Sequence, residues 1–502
     1  MRAGIVLDRS LSWRQVGAIA EGSSLALSPA ARGRVQAAHR LVQAIVAQDI
    51  RAYGVNTGVG ALCDVIVTAS RQRQLSRNIV MSHAVGVGPA LEAHEVRAII
   101  ASAINNFAHG YSGVRVEVVE RLLALLSHEC IPEVPASGSV GYLSHMAHIA
   151  SVLLGAGHAR LQGERRGALE ALRAIGLQPM VLEAKEGLSL VNGTPCVTGL
   201  TALALLRIER LLDWADLIGA MTFENLHGQL SAFDPEGLNL RVSPALRRVG
   251  ERLRATLDGS AILAASAGRH TQDPLSLRAI PQVHAAVREQ FEHASAVTDA
   301  ELASVTDNPI LLGTEQAPRA LSEAHAVGAA MALSADALGV AIAELAAMSE
   351  RRVDRLVNPL LSNLPAFLAP DGGVGSGFMI AQYTAVALVA ENRRLAAPAS
   401  LDGGITSGLQ EDHLSHATPA ALKLLKILGN AEIIFSIELL AATQAYELQP
   451  TVWARAPRTD AVYRRVRQSV PQYHDDRPLA EDIARACGLL RTRRAGEQEP
   501  GS

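Results

Sequence analysis

Long stretches rich in Ala and Leu and free of proline constrain this chain more than any other feature of its sequence. No proline lies between Pro195 and Pro235, or in the run from Ala420 to Gln449. Such runs favour helices, because Ala and Leu have high helix propensity and proline would break the helix. Aromatic residues make up only 3% of the chain, which suits close helix packing better than a sheet rich in β-branched residues. We therefore expect an all-α fold.

Four long helices are predicted. The first lies between Cys196 and Asp234, the second ends near Asn358-Pro359, the third covers roughly Phe378 to Ala396, and the fourth fills most of the run from Ala420 to Gln449. Helices that are long and apolar on several faces are typical of the centre of a bundle or of an oligomer core.

Charge and cysteine usage exclude several classes of function. The 46 basic and 49 acidic residues leave a net charge of −3, so no global field attracts nucleic acid or an anionic membrane. Asp8 and Arg9 interrupt the N-terminus before a signal-peptide core can form, and no membrane-spanning stretch follows. We expect a cytoplasmic protein. The spacing of the cysteines fits no zinc cage or disulfide framework, and we interpret all four as buried thiols: Cys63, Cys130, Cys196 and Cys487.

Loops dense in Gly, Ser, Thr and Asn carry the polar residues that could perform chemistry. Tyr53 lies in YGVNTGVG, His83 in a glycine-containing segment, and Asn192 in an Asn-Gly turn. Each could serve a site or be structural. The Arg278 guanidinium is suited to bidentate capture of a carboxylate, or to a salt bridge with Asp273. Gln410-Glu411-Asp412-His413 groups an amide, two acids and an imidazole, and no second ligand set accompanies it, so no metal is expected.

Nine strings, read in order, resemble the histidine and phenylalanine ammonia-lyases. They span roughly Tyr53 to His413 and read YGVNTG, LSRNIVMSH, GYSGVR, EGLSLVNGT, QDPLSLRAIPQVH, SVTDNP, ELAAMSERRVDRLVNP, SGFMIAQYTAVALVAEN and TSGLQEDH. The resemblance implies a long central helical bundle with a loop-rich N-terminal active-site region, and a homotetramer in which each active site is shared among three subunits. It also implies an amino-acid-like substrate, no soluble cofactor, and an electrophile, methylidene-imidazolone, made by cyclisation of an Ala-Ser-Gly tripeptide.

The resemblance also assigns roles by matching motif. Tyr53 would remove the β-proton of the substrate, and Arg278 would hold its carboxylate. Asn192 would support the prosthetic group or the carboxylate. His83, Gln410 and Glu411 would line the substrate pocket, and Gln272 would lie behind them. A histidine and a glutamate there are more similar to the histidine-handling branch, which indicates a polar substrate side chain.

The electrophile loop departs from the family pattern. Ser139-Val140-Gly141 stands where Ala-Ser-Gly is expected, and Val140 has no hydroxyl to lose in the dehydration that forms the electrophile. An Ala-Ser-Gly does occur three residues earlier, at Ala136-Ser137-Gly138. Tyr142 replaces the aspartate of the family loop, and Leu275 replaces a tyrosine. The family's SGGNFHG has become 322–328, SEAHAVG, which lacks its asparagine and phenylalanine.

Three hypotheses remain open. The first is a lyase-like enzyme without methylidene-imidazolone, whose substrate brings its own acidifying group or a better leaving group than ammonium; His145, His148 and His325 could then supply acid, or be structural. The second is a conventional ammonia-lyase or aminomutase with its electrophile displaced to 136–138. The third is a non-catalytic ligand-binding homologue.

The loops suggest a division of the chain. We predict an N-terminal active-site domain (1–195), a central helical bundle (196–400), a C-terminal helical part that carries the QEDH loop (401–487) and a disordered tail (488–502).

Overall fold

The computed structural model describes residues 4–401, 403–449 and 453–492. The prediction of an all-α fold is confirmed. The helices are α1 (Trp13–Ala20), α2 (Pro29–Ala47), α3 (Gln72–His83), α4 (Ala93–Ala108), α5 (Val116–Ser127), α6 (Ser144–Leu153), α7 (Ala168–Ala174), α8 (Glu186–Val191), α9 (Pro195–Asn225), α10 (Pro235–Asn239), α11 (Pro244–Leu257), α12 (Ala261–Ser266), α13 (Leu275–Arg278), α14 (Ile280–Leu302), α15 (Ala329–Val357), α16 (Pro359–Ser362), α17 (Met379–Leu395), α18 (Ala417–Glu447), α19 (Pro457–Ser469) and α20 (Leu479–Thr492).

Short strands pair locally beside the helices. They are β1 (Ile5–Leu7), β2 (Leu25–Leu27), β3 (Val87–Ala90), β4 (Cys130–Pro132), β5 (Pro135–Ser137), β6 (His158–Leu161), β7 (Glu164–Gly167), β8 (Ile310–Thr314) and β9 (Ala317–Leu321). Strands β1 and β2 are parallel, whereas β3 with β5, β4 with β6, β6 with β7, and β8 with β9 are antiparallel.

The four long helices lie where the sequence predicts them, as α9, α15, α17 and α18. Helix α9 ends at Asn225, short of Asp234, because the backbone changes direction there. His227 takes a left-handed conformation with φ 56°, and the Gly228 amide bonds the Phe223 carbonyl at 3.0 Å. This is the pattern of a Schellman C-cap. A Cβ at Gly228 would lie 2.4 Å from the Phe223 ring, so only glycine fits.

The chain packs into two compact units. Unit 1 comprises Met1–Leu206, Ala294–Asp336 and Pro398–Leu424; unit 2 comprises Arg207–His293, Ala337–Ala397 and Leu425–Ser502. The division of the sequence at 195, 400 and 487 stays a prediction. The predicted disordered tail is wrong at its start, because α20 continues to Thr492; Leu490 lies buried on this helix and holds its last turns. Residues 493–502 lie outside the described part of the chain.

Each unit has its own apolar core. In unit 2, Phe223 and Phe233 pack with the buried faces of α11 and α14. In unit 1, a smaller cluster joins Val42 and Ile45 of α2 to Ala52 and Val55. These last two residues flank Tyr53, so burial of its neighbours anchors the loop that presents the phenol.

Within the described residues, two helical stretches are long and apolar enough to cross a membrane by length and composition alone. The apolar window within Glu186–Asn225 is entirely buried in the protein, and that within His325–Val357 is 56% buried. The first therefore has the burial of a core helix.

The cysteines of the described chain are free thiols; Cys130, Cys196 and Cys487 are buried as expected, but Cys63 is only half-buried, because it lies in an exposed stretch of the loop that follows Tyr53.

Candidate functional site

The Tyr53 loop is folded by its own side chains. The Asn56 side chain accepts from the Ala52 amide at 2.8 Å and donates to the Ile50 carbonyl at 2.9 Å. The Thr57 hydroxyl accepts from the Gly54 amide at 3.1 Å. These bonds satisfy the backbone of a turn in which Gly54 has φ 63°, a conformation that glycine adopts without strain. The Asn and Thr of YGVNTG therefore stabilise the conformation of the loop that contains them.

The Tyr53 phenol accepts a hydrogen bond in this loop. The amide of Gly60 donates to its oxygen at 3.0 Å. Burial raises the pKa of Tyr53 above its ordinary value, the Gly60 hydrogen bond opposes this, and the negative charge of Glu411 adds to the rise. The Gly60 amide therefore offsets only part of the rise in pKa, and the phenol of the free protein keeps its proton near neutral pH.

The charge of Glu411 acts on the phenol because the segment that carries Glu411 packs on the Tyr53 loop. The two loops meet at Gly60, which has φ 57° and where a Cβ would lie 2.1 Å from the Ser407 hydroxyl oxygen, so glycine is favoured at this position. Within the segment, Thr406 and Glu411 form an antiparallel bridge. The Thr406 hydroxyl also donates to the Glu411 carboxylate at 3.2 Å.

The same segment holds the loop after β5 from its other side. The His416 amide donates to the Val140 carbonyl at 2.9 Å, and the Thr418 hydroxyl donates to the Gly141 carbonyl at 2.7 Å. Inside the loop, the Ser139 hydroxyl accepts from the Gly141 amide and donates to the Tyr142 carbonyl. Residues 406–418 therefore bring the Tyr53 loop together with the loop that departs from the family pattern, Pro135–Leu143, within unit 1. We call Pro135–Leu143 the altered loop.

Tyr142 consequently joins the same cluster. Burial, the charge of Glu411, the charge of Tyr53 and a hydrogen-bond interaction with Glu411 together raise the pKa of Tyr142 to about 12. The phenol is therefore protonated throughout the physiological range. The two phenols affect one another, because two negative charges close together cannot easily coexist.

His83 is the last residue of α3, in unit 1. Burial lowers the pKa of its imidazole, while the Ile79 carbonyl and the Glu411 carboxylate act in the opposite direction. The structure thus brings together three residues that the sequence predicts, Tyr53, His83 and Glu411, with Tyr142 as a fourth.

Three other predicted residues are less engaged with the cluster. Asn192 is 5% exposed, and its side-chain amide donates a hydrogen bond to the Asn308 carbonyl at 2.8 Å. It directly follows α8, whose Leu188 contacts Gly54 of the Tyr53 loop. Gln410 and Gln272 are exposed. Their predicted places in and behind the pocket stay predictions.

Arg278 is the last residue of α13, in unit 2, and is half-buried. Its Nε is buried without a partner. Among the described residues, Arg278 forms no salt bridge with Asp273. The Asp273 carboxylate instead accepts a hydrogen bond from the Gln229 amide at 2.6 Å. The guanidinium therefore keeps hydrogen-bonding capacity for an anion.

The histidines near the altered segments bind the protein itself. His145 Nε2 bonds the Ala136 carbonyl at 3.1 Å, and burial lowers the pKa of His145 to about 4. His148 Nε2 accepts from the Gly86 amide at 2.9 Å. The His325 ring pairs with Glu323 at 2.6 Å. Because His145 and His148 tie β5 and the backbone next to β3 to α6, we assign them a structural role.

The residues of the altered loop do not fit methylidene-imidazolone. Val140 offers no hydroxyl for dehydration, and its carbonyl is engaged by His416. The alternative tripeptide, Ala136-Ser137-Gly138, begins in the extended strand β5, where Ser137 pairs with Val87 of β3. Cyclisation needs a tight bend that brings the glycine nitrogen onto the alanine carbonyl carbon, and an extended strand holds these atoms apart.

Known proteins resemble this chain in sequence over most of its length. The sequence profile of the aromatic amino acid lyases matches residues 11–468. The chain belongs to the aromatic amino acid lyase family. Among curated lyases, it is 43% identical to the histidine ammonia-lyase of Deinococcus radiodurans over 97% of this chain and 93% of that protein. It is also 43% identical to the histidine ammonia-lyase of Stigmatella aurantiaca, over 92% of this chain and 91% of the relative.

Solved lyase structures share the fold. Histidine ammonia-lyase from Trypanosoma cruzi superimposes with a TM-score of 0.90 at 34% identity, covering 97% of this chain and 93% of that one. Tyrosine aminomutase from Streptomyces globisporus gives 0.91 at 32%, covering 97% of both chains. The ergothioneine-degrading ergothionase from Treponema denticola gives 0.90 at 26%, covering 98% of this chain and all of that one. The chain is therefore an aromatic amino acid lyase family member of ammonia-lyase fold, in a family of carbon–nitrogen lyases.

Sequence reasoning missed one functional candidate. It identified Tyr142 only as a departure from the family aspartate, not as a residue that meets Tyr53 and Glu411. The signal was present: a tyrosine at the one position of the altered loop where the family has an acidic side chain.

Proposed function

We propose that this lyase catalyses an elimination on an amino-acid-derived substrate without methylidene-imidazolone. Tyr53 is the base that removes the β-proton, and Arg278 binds the carboxylate. The observation that carries the proposal is the cluster of Tyr53, His83 and Glu411 beside a loop whose central residue, Val140, has no hydroxyl. The retained residues serve binding and proton transfer, whereas the electrophile has no residue from which to form.

The electrostatics of the cluster favour a cationic substrate. Burial and Glu411 raise the pKa of Tyr53, so a positive charge must come close before the phenol ionises near neutral pH. A substrate amine supplies that charge and is also the group to be expelled. Without an electrophile, the substrate needs a leaving group better than ammonium or a group that acidifies its β-hydrogen.

The relatives suggest where to look for the substrate. The two curated relatives described above are histidine ammonia-lyases, and one structural relative degrades ergothioneine. His83 and Glu411 at one end of the cluster agree with a polar side chain. We therefore propose substrates with an imidazole-type side chain.

A turnover screen tests this function. L-histidine, its Nα-trimethyl derivative and its α-hydroxy analogue are incubated with the full-length protein, and the unsaturated product is measured by absorbance and mass spectrometry. We expect turnover of at least one compound and its loss in Tyr53→Phe. Tyr111→Phe, which removes an exposed phenol of unit 1, is the matched control and keeps activity. Binding without turnover of any compound contradicts the proposal and favours a ligand-binding homologue.

Assembly and location complete the proposal. We propose a cytoplasmic homotetramer, supported by the apolar side chains that α17 leaves exposed in the single chain, including Ile380 and Tyr383. Size-exclusion chromatography with light scattering tests the oligomeric state, and a stable monomer contradicts it. In a shared site, Tyr53 and Arg278 need not come from the same subunit.

A further inference from the structure

Helix α8 is tied to the segment 306–308 by the residue before it and by the residue after it. Before the helix, the Lys185 ammonium pairs with the Asp307 carboxylate at 2.9 Å, and both side chains are fully buried. After the helix, the Asn192 side-chain amide donates to the Asn308 carbonyl at 2.8 Å. The Asn308 backbone amide donates in turn to the Asp307 carboxylate at 2.8 Å. These bonds close a ring with the helix, so the Asn192 amide cannot turn without breaking one of them.

The backbone of Lys185 is held in an unusual conformation by its buried contacts. Its φ is 68°, a left-handed conformation that a lysine keeps only where surrounding contacts impose it. Besides the ion pair, the ammonium donates to the Ser189 hydroxyl at 2.8 Å, and that hydroxyl donates to the Ser112 carbonyl at 3.0 Å. The lysine is therefore fixed by two buried partners within unit 1.

A buried ion pair of this kind contributes little to the free energy of unfolding. Removing two charges from water offsets most of their mutual attraction, and apolar side chains of similar volume often replace such a pair without loss of stability. A buried pair can instead select one arrangement of the chain, because each charge must lie against the other. In this chain, the selected arrangement fixes the orientation of Asn192.

The end of α8 lies beside the loop that carries the proposed base. Leu188 contacts Gly54 of the Tyr53 loop, and the Asn192 backbone amide donates to the Leu188 carbonyl at 3.0 Å. Asn192 is therefore one helical turn from the residue that contacts this loop. Its side-chain nitrogen has two hydrogens, and Asn308 accepts one of them. The other can donate to a carboxylate oxygen.

We infer that Lys185 and Asp307 are positioning residues, which orient the Asn192 amide toward the carboxylate of the substrate. The inference rests on the proposed function and deepens it, because it adds a second donor to the carboxylate besides Arg278. The family resemblance implies that Asn192 supports either the prosthetic group or the carboxylate. Because the altered loop does not fit methylidene-imidazolone, the carboxylate is the remaining partner.

Binding of two matched probes to the full-length protein isolates this effect. The probes are imidazolepropionate and its primary amide, which differ only in the carboxylate; neither has an amine to expel, so neither is consumed. Calorimetry measures their affinities for the wild type, Asp307→Asn, Asn192→Ala and the two substitutions combined. Asp307→Asn keeps an oxygen for the Asn308 amide and removes the charge that faces Lys185.

The matched control breaks another Lys–Asp pair of unit 1. Asp336 pairs with Lys423 at 2.6 Å, and both side chains are largely buried. Asp336→Asn is made alone and together with Asn192→Ala. Urea unfolding of every variant separates a loss of stability from a loss of carboxylate binding.

We expect the wild type to bind imidazolepropionate more tightly than the amide. Asp307→Asn and Asn192→Ala should each weaken propionate binding by roughly tenfold, the effect of one hydrogen bond to a charged group. Binding of the amide should stay within about twofold of the wild type. The combined variant should bind the propionate as weakly as Asn192→Ala alone, because Asp307 acts through Asn192. Asp336→Asn should change neither affinity by more than about twofold, with or without Asn192→Ala.

A second variant applies if Asp307→Asn does not fold. Lys185→Met combined with Asp307→Leu fills a similar volume and leaves no unpaired buried charge. It should give the same roughly tenfold loss of propionate binding, again absent when Asn192→Ala is present.

A purely structural role of the pair gives a different pattern. Equal losses for the two probes in folded Asp307→Asn, or losses that add in the combined variant, overturn the inference and leave the proposed function standing. Unchanged propionate affinity in Asp307→Asn does the same. Wild-type protein that binds the propionate no better than the amide recognises no carboxylate. That result overturns the role of Arg278 in the proposed function, and the inference with it.

Discussion

The Tyr53 loop and the Pro135–Leu143 loop meet in the same cluster, but they are held in different ways. The first is stabilised by its own Asn56 and Thr57, a few residues from the phenol. The second has internal bonds from Ser139 but is also held from outside, by His416, Thr418 and His145. A loop that folds by local bonds keeps its residues and its role together, whereas a loop held by distant partners can change its central residues and keep its path. The first loop keeps Tyr53, the proposed base, whereas the second has Val140 where the family serine is expected.

The largest expected effect comes from the retained loop. Tyr53→Phe removes the proton acceptor and leaves the ring, so kcat/KM for any substrate found should fall by about 10³-fold, within the range of general base catalysis. Steady-state kinetics at several pH values measure it, with Tyr111→Phe as control. A loss of less than about fivefold means that another group takes the proton.

His145 of α6, which bonds the altered loop at Ala136, is expected to make the free energy of unfolding depend on pH. The folded pKa of His145, about 4, lies below its ordinary value of 6.5, so between these values the unfolded chain binds a proton that the folded chain does not. The free energy of unfolding should therefore fall as the pH falls from 6.5 to 4. This group contributes no further loss below pH 4, and its total effect is on the order of 3 kcal/mol at most.

His145→Gln isolates that contribution, because glutamine can still donate to the Ala136 carbonyl and does not titrate. Urea unfolding at several pH values should give a shallower dependence of the unfolding free energy on pH between 4 and 6.5 than in the wild type. His474→Gln, at an exposed position, serves as the control. An unchanged slope in His145→Gln indicates that other groups cause the acid sensitivity.

Arg278 extends the comparison to a retained residue of unit 2. Lysine keeps the charge of arginine but cannot form the bidentate pair with a carboxylate. Arg278→Lys should therefore raise KM or Kd by roughly thirtyfold, equivalent to about 2 kcal/mol, with a smaller change in kcat. Arg241→Lys, at an exposed position of the same unit, should change neither. Equal affinities of Arg278→Lys and wild type exclude a carboxylate role.

The smallest effect is expected at the alternative tripeptide. Ser137 is exposed and lies in strand β5, so Ser137→Ala should change activity by less than about twofold, as for surface substitutions in general. Abolished activity, with an unchanged melting temperature, would instead favour a displaced electrophile at 136–138.

The same contrast explains what the sequence could predict. The four long helices and the Tyr53 loop were predictable, because proline-free runs and the Asn and Thr of YGVNTG act over a few residues. The meeting of Tyr142 with Glu411 was not, since 269 positions of chain separate residue 142 from residue 411 and only the packing of 406–418 joins them. The partner of Asp273 was likewise set by tertiary contact, with the Gln229 amide.

We propose that the loop around Val140 carries no methylidene-imidazolone, and the mass of the intact protein shows whether the group is present. Peptide mapping then assigns any change to residues 136–143. We expect this peptide to have the mass of the unmodified sequence. A peptide lighter by two water molecules, with the loss located at either tripeptide, would contradict it.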